Sequence, residues 1–108
     1  MVEDVFTASL AADFPELVAL DESAVLIRFE IALEALDRAQ ALGLRLAGVD
    51  GYRSDPDGVT PMLDYIIDLS SSISEGLPAK HQFDSARQIF KTWGEGPDLI
   101  ELVLLEPL

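Results

Sequence analysis

The spacing of apolar residues along the chain predicts three helical segments and three strands. Apolar positions recur about every 3.6 residues, the period of an amphipathic helix, in the segments 4–20, 22–42 and 80–93. The period shortens to two in 44–53 and 59–69, and the apolar segment 98–105 is also typical of a strand. We therefore predict a single α+β domain over residues 1–108, with a small antiparallel sheet of about three strands and helices packed on one face.

Turn-forming residues support these boundaries. Gly43 stands where a glycine commonly ends a helix. The sequence Asp55-Pro56-Asp57-Gly58 suits a tight turn, because proline presets φ and glycine accepts positive φ. The two strands on either side should therefore form an antiparallel hairpin. The serine-rich stretch Ser70–Gly76 is typical of a loop.

The apolar stripes also predict the core. In the strand 59–69, alternation places Leu63, Tyr65 and Ile67 on one face and Asp64, Ile66 and Asp68 on the other. Combining this with the helical stripes, we expect seven largely buried side chains: Phe29, Leu33, Leu36, Leu63, Ile67, Phe90 and Leu102.

The charge of the chain narrows the class of partner. Twenty acidic residues oppose seven basic ones, which gives a formal net charge of −13. A field of this sign repels nucleic acid and anionic lipid and attracts basic proteins, although acidity also keeps small proteins soluble. There is no cysteine, and the first residues lack a basic and apolar signal segment. We therefore expect a cytoplasmic protein without disulfides.

Motifs for catalysis or metal binding do not emerge from the sequence. His81 is the only histidine, and no spacing typical of a zinc site surrounds it. The segment from Arg53 to Gly58 fails as a calcium loop, because Arg53 occupies the position of the first carboxylate ligand. Neither a glycine-rich phosphate loop nor a serine nucleophile motif is present. We predict no catalytic residue, no metal site and no cofactor, and a protein that is not an enzyme.

Carboxylates concentrate in the predicted hairpin, around one aromatic residue. Aligned like charges destabilise a sheet, so a face that keeps them is a candidate for binding a cationic partner. Tyrosine beside carboxylates is a suitable anchor for arginine or lysine. An ordinary solvated sheet face is the alternative. The predicted partner-binding residues are Asp50, Tyr52, Asp55, Asp57, Asp64 and Asp68.

The order of elements resembles that of a known class of proteins. A helix from Ile31 to Gly43 leads into Val49-Asp50-Gly51-Tyr52, the Asp-Pro-Asp-Gly turn and a strand ending Leu63-Asp-Tyr-Ile-Ile-Asp-Leu-Ser70. Over roughly Phe29 to Leu105 this resembles the small acidic immunity proteins of bacterial polymorphic and contact-dependent toxin systems. The resemblance implies a cytosolic inhibitor that masks the active site of a cognate toxin, often a basic nuclease. It implies no catalytic residues.

Three functions remain open at this point. The first is a protein-binding inhibitor that neutralises a basic toxin domain. The second is a structural or regulatory interaction domain, acting as a homodimer through a sheet edge or an apolar helix face. The third is an enzyme that uses paired carboxylates on a small substrate, which would require a deep apolar cleft.

Overall fold

The computed structural model describes residues 2–16, 18–21 and 24–107, and within them the chain forms four α-helices and five strands. A 3-10 turn, Phe29–Ile31, joins the second strand to the second helix. In chain order the elements are α1 (Val2–Asp13), β1 (Val18–Asp21), β2 (Ala24–Arg28), α2 (Ala32–Ala41), β3 (Arg45–Asp55), β4 (Gly58–Asp68), α3 (Ser70–Ser74), α4 (Ala79–Thr92) and β5 (Leu99–Leu105).

All five strands belong to one antiparallel sheet in the order β1-β2-β5-β3-β4. The C-terminal strand β5 therefore lies between β2 and β3, and β4 forms an edge. The predicted α+β class, the antiparallel sheet and the hairpin of β3 and β4 are confirmed. The sheet is larger than the predicted three strands because the N-terminal third contributes two more.

Two predicted helices are wrong over part of their length. Among the described residues, the segment 4–20 is helical as far as Asp13 and the segment 22–42 is α-helical from Ala32. Positions 17, 22 and 23 of these segments lie outside the described residues. Between the two helices lie β1 and β2, which pair with each other, and β2 also pairs with β5 through Ile27 and Ile100. A short apolar run such as Ala24–Ile27 fits either period, so its long-range pairing decides its conformation.

The end of α2 has the geometry that Gly43 predicts. Gly43 adopts a φ of 80°, and its N–H donates to the carbonyl of Gln40. The N–H of Leu44 donates to the carbonyl of Ala39. These two bonds form a Schellman motif, which satisfies carbonyls that the end of a helix leaves unpaired. The chain then turns directly into β3.

An irregularity in β4 changes which of its side chains face the core. Asp50 is the Cα partner of Ile66, and Tyr52 that of Pro61, so five residue steps of β4 face two steps of β3. The surplus residues bulge out of the ladder and leave Leu63 81% exposed. The predicted burial of Leu63 is therefore wrong, since simple alternation does not continue through a bulge.

The core lies between the helices and one face of the sheet. Phe6 and Leu10 of α1, the buried stripe of α2, and Phe83 and Phe90 of α4 pack with sheet residues there. Burial of Leu36, Ile67, Phe90 and Leu102 is confirmed, and Phe29 is partly buried against this cluster. Leu33 is 50% exposed, so its predicted burial is wrong. The predicted loop at Ser70–Gly76 instead contains the short helix α3.

Candidate protein-binding surface

The face of the sheet away from the helices carries a row of residues aligned across three strands. Asp50 of β3 is the Cα partner of both Glu101 in β5 and Ile66 in β4. Their neighbours Val49, Ile67 and Leu102 belong to the core. Because successive side chains alternate between faces, the first row lies on the opposite side of the sheet. We call this surface the open face and define it by Asp50, Tyr52, Ile66, Glu101 and Val103.

Tyr52 and Glu101 are hydrogen-bonded to each other on the open face. The hydroxyl of Tyr52 donates to Oε1 of Glu101 at 3.3 Å. Partial burial raises the pKa of Glu101, and the nearby charge of Asp50 raises it further, against the opposing effect of the Tyr52 hydrogen bond. Burial also raises the pKa of Tyr52, with added contributions from Glu101 and Asp50. The phenol is therefore a neutral donor at neutral pH, beside two carboxylates.

Neither carboxylate of the open face has a basic partner among the described residues. Asp50 and Glu101 form no ion pair there, although they occupy directly opposed positions. Arg28, on the neighbouring strand β2, pairs with Glu30 instead, with 3.9 Å between its Nε and Oε1 of Glu30. Like charges directly opposite each other on a sheet destabilise it. A guanidinium or ammonium group supplied from outside would remove that repulsion.

Aliphatic side chains flank the carboxylates. Ile66 is 47% exposed and Val103 is 39% exposed. This side of the sheet is not fully solvent-exposed. Leu26 and Leu99 alternate with the core residues Ile27 and Ile100, and they are buried although they do not belong to the main core cluster. Exposed aliphatic carbons next to unpaired carboxylates are suited to a basic side chain, whose methylene stem is apolar and whose head is charged.

The structure brings together two of the six predicted partner-binding residues, Asp50 and Tyr52. Asp55 lies near the hairpin tip and pairs with Arg53, whose Nε is 3.3 Å from Oδ2. Asp57 is exposed in the turn itself.

The remaining two predicted residues lie elsewhere on β4. Asp64 is exposed within the bulge. Asp68 has a local structural role, because its carboxylate accepts hydrogen bonds from the backbone N–H and the hydroxyl of Ser70 at the start of α3. These two bonds lower the pKa of Asp68. The six residues therefore form a dispersed acidic region whose organised part is the open face.

Sequence reasoning missed Glu101, which belongs to the open face. A signal was available, because Glu101 is the single charged residue of the apolar strand Leu99–Leu105. Its position opposite Asp50 follows only from the central placement of β5, which the pattern of the chain does not specify.

The described residues contain no group of three or more His, Asp or Glu side chains able to hold a metal ion. None of the helices in this part of the chain is long and apolar enough to cross a membrane. Comparison with protein-family models, with curated proteins and with solved structures found no match to the chain.

Proposed function

We propose that this protein is a cytoplasmic binding protein that inhibits a basic protein partner, in the manner of an immunity protein acting on a toxin domain. The observation that carries the proposal is the unpaired, directly opposed carboxylates of Asp50 and Glu101 beside the hydroxyl of Tyr52. The net charge of −13 has the sign that attracts such a partner and repels nucleic acid. The chain acts by occupying a surface and not by catalysis.

The acidic residues divide into two roles in this proposal. Glu101 and Tyr52 are partly buried, so contacts made there exclude more water than contacts at the hairpin tip. We assign them, with Asp50, as anchors for an arginine or lysine of the partner. Asp55 and Asp57 are peripheral charges that steer the approach of the partner.

Affinity capture from the source cells tests the proposal. The wild-type chain and the double variant Asp50→Asn/Glu101→Gln are immobilised in parallel at low salt. We expect a basic protein to bind the wild type and not the double variant, and its activity to fall when the free chain is added. The matched control is Glu75→Gln/Glu95→Gln, which removes two exposed carboxylates elsewhere and gives the same net charge as the test variant.

Binding kinetics with the captured protein then separate the two roles. We expect Glu101→Gln to cost about 2–5 kcal/mol, mainly through faster dissociation. Asp57→Asn should cost about 0.5–1 kcal/mol, mainly through slower association with a weaker salt dependence. If wild type and Asp50→Asn/Glu101→Gln capture the protein equally well and the control Glu75→Gln/Glu95→Gln does not, the binding surface lies elsewhere. A captured protein whose activity is unchanged by the chain would remove the inhibitory role.

A further inference from the structure

A groove of about 230 Å³ lies between the start of α2 and the end of α4, away from the open face. It is mainly apolar, and it is larger than a cavity of about 150 Å³ that holds benzene. It therefore has room for one large aliphatic or aromatic side chain. Its lining residues are Phe29, Glu30, Ala32, Leu33, Phe90, Lys91 and Gly94.

The walls of the groove are held in place by aromatic packing. The ring of Phe29 lies edge-on to Phe90, with 5.5 Å between centroids, and 5.8 Å from the ring of Trp93. Gly96, with a φ of 65°, packs so closely that a Cβ there would lie 2.3 Å from Cε2 of Phe29. The groove is therefore formed before anything binds in it.

Two features of the groove are unexplained by the fold. Leu33 is half exposed at its edge, although the preceding residue of α2, Ala32, is buried. Lys91 has no carboxylate within 4.0 Å among the described residues, whereas Arg38 and Arg87 each pair with at least two. The groove is suited to an apolar side chain with a carboxylate beside it.

The chain itself presents such a pair in the β4 bulge. Leu63 is the most exposed large apolar residue of the described chain, and the exposed carboxylate of Asp64 follows it without an ion pair among these residues. The bulge and the groove lie at the same end of the molecule. The ring of Tyr65 is 5.1 Å from that of Trp93, which directly precedes the groove residue Gly94.

We propose that two copies of this chain associate through these surfaces, with Leu63 of each copy in the groove of the other and Asp64 paired with Lys91. Because the projecting side chain and its complementary groove lie at the same end of the molecule, a two-fold axis makes both contacts at once, and the assembly closes as a dimer. The open face takes no part in this contact. The dimer therefore does not rest on the proposed inhibitory function, and either can fail alone.

Sedimentation equilibrium tests the dimer. Between about 10 µM and about 1 mM protein, at about 0.15 M salt where the Debye length is about 8 Å, we expect the wild type to pass from monomer to dimer. Leu63→Asp should weaken the dimer at least about thirtyfold, since it removes the central apolar anchor. The matched control Val59→Asp adds the same charge on the same strand, at an exposed apolar position outside the bulge, and should leave the dimer unchanged.

A charge exchange tests the ion pair and does not depend on Leu63→Asp keeping its fold. Lys91→Glu and Asp64→Lys should each weaken the dimer about two- to fivefold. The double variant should recover wild-type affinity, and its net charge is again −13. A wild type that stays monomeric throughout the concentration range overturns the proposal. So does a double variant no tighter than the single variants, or a Val59→Asp variant as weak as Leu63→Asp.

Discussion

The two faces of the sheet are built from alternate residues of the same strands, yet they have opposite chemistry. On the helix side, Val49, Ile67 and Leu102 align across three strands and are buried in the core. The residues one position further along β3 and one position back along β4 and β5 form the second row. Here Asp50 aligns with Glu101 and with Ile66, which is half exposed. Hydrophobic burial explains the first row. It does not explain the second, which places like charges opposite each other.

This difference separates residues that hold the fold from residues available for binding. A slip of one residue in the pairing of β3 would exchange the two rows. The burial that keeps Val49 in the core therefore also keeps Asp50 on the open face. Burial on the other side of the sheet therefore determines which charges lie on the open face. Substitutions at alternate positions of one strand should consequently have different effects, and three predictions test this.

The largest effect is expected within β5, where Ile100 and Val103 lie on opposite faces. Ile100 is fully buried and pairs with Ile27, so Ile100→Ala should lower the free energy of unfolding by about 2–5 kcal/mol. Val103 is 39% exposed, and Val103→Ala should cost under about 1 kcal/mol. Urea unfolding with unchanged m values measures both. Similar losses at the two positions would show that the open face is covered and packed.

A smaller effect is expected at Gly51 of β3, where the backbone of β4 passes close by at Tyr65. A Cβ at this position would lie 2.6 Å from Cβ of Tyr65 and 2.9 Å from its carbonyl oxygen. Gly51→Ala should therefore destabilise the protein by about 1–3 kcal/mol through overpacking. Because Tyr65 contacts Trp93, the tryptophan emission of the folded variant should also change. A variant with wild-type stability and emission would mean that the bulge is not fixed against β3.

Much of the C-terminal two thirds of the fold could be predicted from local signals. Gly43 and the Asp-Pro-Asp-Gly turn act through their own backbone geometry, so their effect does not depend on distant residues. The long strands β3 and β4 and the helix α4 have enough residues for their period to be clear. These elements were predicted within a few residues of their observed ends.

The errors occur where a long-range contact decides the local structure. The strand β2 exists because Ile27 meets Ile100, more than seventy residues later in the chain. Leu63 leaves the core because β4 contains surplus residues relative to β3, which no periodicity reveals. Asp50 and Tyr52 of the open face were found as part of a charged hairpin. Glu101 was not, because its place opposite Asp50 depends on strand order.

The smallest predicted effect concerns the cost of the carboxylate pair itself. The pKa of Glu101 is raised in the folded protein, chiefly by burial and further by Asp50. Its ionised form therefore costs stability. The cost is absent below the ordinary glutamate pKa, where the group is protonated in both states, and it grows as the pH rises through the raised pKa. Above the raised pKa the cost is fully present.

Glu101→Gln removes this charge, and its amide oxygen can still accept the hydrogen bond from Tyr52. The variant should be more stable than the wild type by about 0.2–1 kcal/mol at neutral pH, the usual size of one cross-strand pair. The advantage should shrink as the pH falls towards 4 and below.

Asp84→Asn is the control with the same charge change, because Lys80 and Arg87 lower the pKa of Asp84. This variant should instead be less stable than the wild type at neutral pH. Thermal unfolding of the three proteins between about pH 4 and pH 8 measures both trends. A Glu101→Gln variant that is destabilised at neutral pH would mean that the open face is already neutralised within the chain, and its carboxylates would then offer nothing to a basic partner.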